Sequence, residues 1–162
     1  MTLDAHEVVK EFAPALARIA ASYERDPALR DELLQEILMA VVSSLPRLKQ
    51  ADRLKPFLFR IAHNRCLTHV TQRMRERANQ EPLNDLAAET TSQEQALIER
   101  ERSHRLLEAI RQLALPYRQV MTLILEDMSY DEIAEALAIS VANVGIRVNR
   151  AKQQLKILLN YE

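Results

Sequence analysis

LALPYRQVMTLILEDMSYDEIAEALAISVANVGIRVNRAKQQLKILL, residues 113–159, reads as a helix, then two short helices joined by a tight turn, then a basic tail. Ser129 stands three residues before Glu132, the spacing of a capping box, so a helix starts at about Tyr130. Its apolar residues Ile133, Ala134 and Leu137 make a narrow stripe that breaks at Ala138 and Ile139. Ser140 offers a second N-cap. In the helix it opens, Val144, Val148, Ala151 and Leu155 recur at spacings of 4, 3 and 4 and form a buried face. Asn143, Gly145, Ile146, Arg147, Asn149, Arg150 and Lys152 are left pointing mostly away from the core. This is a helix-turn-helix layout, whose second helix is suited to the major groove of DNA. A merely solvated polar face has similar residue types, and charge separates the two readings. Ser140 to Leu159 holds four basic residues (Arg147, Arg150, Lys152 and Lys156) and no acidic one, in a chain of net charge −1.

Upstream, Leu33, Leu34, Ile37, Leu38, Val41, Val42 and Leu45 form a broad apolar stripe, with Asp31, Glu32, Gln35 and Glu36 on the other side. That is an amphipathic helix with an acidic outer face, by itself no more than a core helix with a solvated back. The next segment is more distinctive. From Pro46 to Arg77, nine basic residues (Arg47, Lys49, Arg53, Lys55, Arg60, Arg65, Arg73, Arg75 and Arg77) stand against Asp52 and Glu76, a net of +7. Positive charge concentrated in one element while the rest of the chain compensates is the footprint of phosphate-backbone binding. Phe57 and Phe59 are interleaved and could stack on unpaired bases, although beside Leu58, Ile61 and Ala62 such rings more often belong to a core. NQEPLNDLAAETTS, residues 79–92, lacks periodicity and reads as a linker; residues 81–101 carry six acidic side chains and one basic, as a solvated spacer would.

The 162 residues are 48% apolar with helical periodicity nearly throughout and no strand pattern. The expected fold is all-α: two small helical domains, residues 1–78 and 96–162, joined by a linker at 79–95, the C-terminal one a helix-turn-helix. The single cysteine, Cys66, excludes an intrachain disulfide and fits a reducing cytoplasm. No signal peptide is recognisable, and the longest apolar run falls far short of the roughly 18 residues of a membrane span. His6, His63, His69 and His104 lack metal-ligand spacing, so no metal is expected. One glycine cannot make a phosphate-cradling loop, and no Ser or Cys sits in a nucleophile motif, so neither cofactor nor catalytic residue is expected.

Two segments in order resemble a known family. DELLQEILMAVVSSL (31–45) followed by KPFLFRIAHNRCLTHVTQRMR (55–75) is similar to the second conserved region of sigma-70-type RNA polymerase initiation factors. LPYRQVMTLIL with MSYDEIAEALAISVANVGIRVNRAKQQL is similar to the fourth, and the spacing is that of the small extracytoplasmic-function (ECF) group. The resemblance implies a cytoplasmic protein without enzymatic activity that binds RNA polymerase core, directs it to promoters and helps open the minus-10 region. It implies that Glu32, Leu34, Gln35, Glu36 and Leu38 dock on the clamp coiled coil of the largest polymerase subunit, with a further contact at the flap. Arg60, His63, Asn64, Arg65, Arg73 and Arg75 would hold minus-10 DNA, and Ser140, Asn143, Ile146, Arg147, Asn149, Arg150 and Lys152 would face the minus-35 element. An anti-sigma factor is a further partner that the resemblance suggests.

The chain departs from the family pattern at several places. A basic residue and a small polar one in the recognition helix give way to Gly145 and Ile146, Phe57 stands for Trp, and Thr68 and Thr71 replace charged residues. The turn carries Ala138 in place of glycine, which in a left-handed conformation would cost about 1 kcal/mol. Two other readings compete. A stand-alone helix-turn-helix regulator leaves LLQEIL and RIAHN unexplained, and a sigma-like decoy that occupies polymerase or an anti-sigma partner without initiating draws support from Gly145 and Ile146.

Overall fold

The computed structural model describes residues 3–78 and 94–160. Its helices are α1 (Ala5–Tyr23), α2 (Pro27–Ser44), α3 (Leu54–Ala78), α4 (Glu94–Gln112), α5 (Leu115–Ile124), α6 (Tyr130–Leu137) and α7 (Val141–Leu158). Two single-turn 3-10 segments, Leu45–Arg47 and Ala51–Arg53, link α2 to α3. No strand occurs among the described residues. The expected linker at 79–95 lies outside them except for Glu94 and Gln95, which already belong to α4.

Helix starts follow from local polar chemistry. The Asp26 carboxylate accepts from the Ala28 and Leu29 N–H groups while Pro27, which has no N–H to satisfy, fills the first helical position. At α6 the Ser129 hydroxyl accepts from the Glu132 N–H (3.1 Å) and the Glu132 carboxylate accepts from the Ser129 N–H (2.9 Å), so the capping box closes both ways. Ser140 caps α7 by accepting from the Asn143 N–H at 3.1 Å. Between these caps, Ala138 is left-handed (φ 56°, ψ 46°) and turns the chain from α6 into α7.

α1, α2 and α3 pack through Leu16, Ile19, Leu33, Ile37, Val41, Leu58 and Phe59, while α5, α6 and α7 pack through Val120, Leu123, Ile133, Val144, Val148 and Ala151. The two groups meet along a seam and share one buried apolar cluster. Across the seam Arg18 pairs with Glu126 (2.7 Å) and Arg53 with Glu135 (2.6 Å), and Arg25, after α1, pairs with Glu108 of α4, which packs against α1, α5 and α7. The Lys55 ammonium donates to the Glu126 carbonyl, and Arg111 donates to the Ala21 carbonyl. Ion pairs whose guanidinium stays largely in solvent, as in these three, contribute about 0–1 kcal/mol each, so the apolar contact between the groups carries more of the seam than they do.

Candidate nucleic-acid interface

α7 buries Val144, Val148, Ala151 and Leu155, the four residues its periodicity selects, against α5 and α6. Ala142, Asn143, Ile146, Asn149, Arg150 and Lys152 are exposed, and Gly145 and Arg147 lie half-buried on the flanks. Ser140 is exposed, with its hydroxyl engaged as the helix cap. Gly145 has helical backbone, not a positive φ, and a Cβ there would stand 3.7 Å from the Tyr130 ring, an ordinary contact.

α3 is less uniform than its charge count implies. Arg60, Asn64, Thr68, Thr71 and Arg75 are exposed along one face, with Arg65 exposed on its flank. A cavity of about 300 Å³ opens beside this face, lined by Arg47, Lys49, Arg53, half-buried Phe57, Arg60 and, from α6, Glu135. Phe59, by contrast, is a core ring at 1% exposure.

Two residues grouped with this face turn inward. His63 is 2% exposed: the Tyr23 hydroxyl lies 3.0 Å from its Nδ1, and the Thr122 hydroxyl of α5 lies 3.5 Å from its Nε2. Thr122 also donates to the Gln119 carbonyl at 3.0 Å. Burial pushes the imidazole down to about 4, so it is neutral at pH 7. His63 is therefore a seam residue here and does not share the surface of Asn64. Arg73, expected beside Arg75, instead donates to the Glu24 carboxylate at 2.8 Å. Glu24 is 4% exposed and also meets His69 (2.8 Å) and the Asp26 N–H (3.0 Å). Its burial alone would raise the carboxyl, but the Asp26 N–H, His69 and Arg73 outweigh that and hold it below the usual range.

On α2, Glu32, Gln35 and Glu36 are exposed, and Leu34 and Leu38 are half-buried against the core. The apolar stripe is narrower than expected, because Val42 is 44% exposed and lies outside it. Met39, 72% exposed, joins Gln35, Glu36 and Val42 on the outer face, one turn from each. Sequence reasoning passed over Met39, although its spacing from Gln35 and Glu36 marks that face. Tyr23, Glu24, Thr122 and Glu135 were missed as well, and no local pattern marks them, since their partners lie far away in the chain.

The family model for Sigma-70 region 2 matches residues 8–76, and that for Sigma-70, region 4 matches residues 103–155. The ECF RNA polymerase sigma factor SigM of Bacillus subtilis is 28% identical over 161 residues, covering 99% of this chain and 96% of its own. The RNA polymerase sigma factor SigZ of the same organism is 26% identical over 92% of this chain and 83% of its own. Among solved structures, the fold matches the sigma factor RpoE in complex with the anti-sigma factor NepR from Bartonella quintana at a TM-score of 0.74, with 22% identity over 97% of each chain. CnrH in complex with the cytosolic domain of CnrY matches at 0.70, with 24% identity over 98% of this chain and 88% of that one. The two regions in sequence order on an all-helical frame define a transcription initiation factor, and the chain belongs to the sigma-70 family, in its ECF group. As a sigma factor it binds RNA polymerase core and promoter DNA and directs transcription initiation. The region 2 match accounts for the upstream half that a stand-alone regulator leaves unexplained. Among the described residues no helix is long and apolar enough to cross a membrane.

Proposed function

We propose that this sigma factor acts in the cytoplasm, without enzymatic activity, through three surfaces on two domains, residues 1–78 and 96–162. The outer face of α2, with Glu32, Gln35, Glu36 and Met39 and the edge residues Leu34 and Leu38, docks on the clamp coiled coil of the polymerase, and the C-terminal domain adds a contact at the flap. Arg60, Asn64, Arg65 and Arg75 hold the melting minus-10 strand, with the basic cavity over Phe57 receiving an unpaired base. Asn143, Ile146, Arg147, Asn149, Arg150 and Lys152 face the minus-35 element, and Ser140 fixes the start of that helix. The observation that carries this reading is the face of exposed polar and basic side chains from Arg60 through Asn64, Thr68 and Thr71 to Arg75 on α3, beside a cavity lined by four further or shared basic residues, Arg47, Lys49, Arg53 and Arg60.

In the arrangement described, Glu135 reaches into that cavity and pairs with Arg53, so the two halves must part before a strand enters. The RpoE structure matched above is bound to an anti-sigma factor, and we extend that class of partner to this chain. Changing Gln35 and Glu36 to Arg should move the melting temperature little, since exposed substitutions shift stability by about 0.5 kcal/mol or less, yet weaken core polymerase binding at least about tenfold. Unchanged binding in a pull-down titration removes the α2 assignment. Run-off transcription by the reconstituted holoenzyme separates an initiating factor from a decoy.

A further inference from the structure

The outward face of α7 has an unusual centre. The buried stripe Val144, Val148, Ala151 and Leu155 defines the inward direction, and at 3.6 residues per turn Ile146 points almost directly opposite. Its neighbours one turn away are Ala142 and Asn143 before it and Asn149 and Arg150 after it, all exposed. Ile146 itself is 48% exposed. A single exposed aliphatic side chain is ordinary on a protein surface. This one is set apart by its surroundings: two amides able to pair with adenine, a guanidinium able to pair with guanine, and the methyl of Ala142 beside it. On the neighbouring flank, Gly145 contributes no side chain, and a Cβ there would stand 3.7 Å from the Tyr130 ring.

Within the major groove only thymine presents a methyl group, and apolar side chains recognise it by contact. We infer that Ile146, with Ala142, reads the 5-methyl group of one thymine in the minus-35 element. The inference rests on α7 being the minus-35 reader. It makes Ile146 a specificity-determining residue that selects a T·A pair by apolar contact, at a position where the family pattern carries a polar side chain.

The experiment begins with in vitro selection of upstream promoter sequences by the reconstituted holoenzyme. Each thymine of the selected element is then replaced by deoxyuridine, which removes only the methyl group. At one position the replacement should weaken holoenzyme binding about three- to fivefold, the worth of one buried methyl-sized group. Ile146→Ala should lose a similar factor on the thymine promoter and no longer distinguish thymine from deoxyuridine there, while Ile146→Val retains part of the difference. Melting curves of both variants check that the exposed substitutions leave the fold intact. If Asn143→Ala and Arg150→Ala weaken promoter binding but no deoxyuridine has an effect, or Ile146→Ala still distinguishes the two bases, the inference is overturned and the role of α7 stands. If Asn143→Ala and Arg150→Ala bind like the unaltered protein, α7 is not the reader and both readings fall.

Discussion

α3 and α7 are the two basic helices proposed to face nucleic acid, and they place their polar groups differently. α7 keeps an apolar stripe inside and its amides and cations outside, as a solitary amphipathic helix would. α3 turns His63 and Arg73 toward the protein, and Lys55 and the preceding Arg53 fasten the seam. Segment charge counts cations without their directions, so the +7 stretch overstates the surface available to phosphate. One helix presents an open polar face; the other is partly an internal clasp.

Acid should open that clasp, and it is the largest effect expected. The buried His63 is held at about 4, whereas an exposed histidine titrates near 6.5, so unfolded or parted chains take up a proton across that window and the closed form does not. The contribution of His63 is therefore constant above about pH 6.5 and falls as pH drops toward 4, by about 2 kcal/mol at pH 5. Glu24 and Glu108 are both held low, so what they contribute is present above the ordinary carboxylate range and lost only at still lower pH. Thermal melting at pH 7.5 and pH 5, on the unaltered protein and on His63→Gln, isolates the imidazole. An equal pH dependence in the two proteins would show that His63 is not enclosed as described.

A smaller contrast lies within α3 itself. Arg73→Met removes one charged donor from the buried Glu24 and should cost about 1.5 kcal/mol, near the low end for such bonds because Asp26 N–H and His69 remain. Arg75→Met should change stability by about 0.5 kcal/mol or less and instead flatten the salt dependence of open-complex formation by about one unit of slope. Equal effects of the two substitutions on both readouts would erase the distinction between clasp and face.

How much of this was legible in the sequence follows the range of each interaction. The capping box at Ser129, the cap at Ser140 and the stripe of α7 depend on residues within a few positions of one another, and each was readable. The outer face of α2 was half readable, because periodicity places Gln35 and Glu36 but not how far the stripe extends: Val42 was assigned to it and is exposed, and exposed Met39 was not assigned at all. Tyr23 with His63 spans 40 residues, Glu24 with Arg73 spans 49, and Arg53 with Glu135 spans 82. No periodicity in a helix encodes a partner that far away, so Arg73 looked like Arg75 and His63 like Asn64.

The smallest effects test whether stability and recognition also separate on α7. The only glycine of the chain stands inside a helix, while the left-handed corner before that helix carries alanine. Ala138→Gly relieves a Cβ clash and should stabilise the fold by up to about 1 kcal/mol, raising the melting temperature by roughly 2–4 °C. Gly145→Ala should add about 0.5–1 kcal/mol, because helical backbone favours Ala and the new Cβ meets Tyr130 at an ordinary 3.7 Å. Neither site lies on the outward face centred on Ile146, so the salt dependence and affinity of holoenzyme on promoter DNA should stay unchanged in both variants. A gain in stability accompanied by weaker binding in Gly145→Ala would mean that the missing side chain admits the DNA backbone close to α7, and the glycine would then be a recognition feature that costs helix stability.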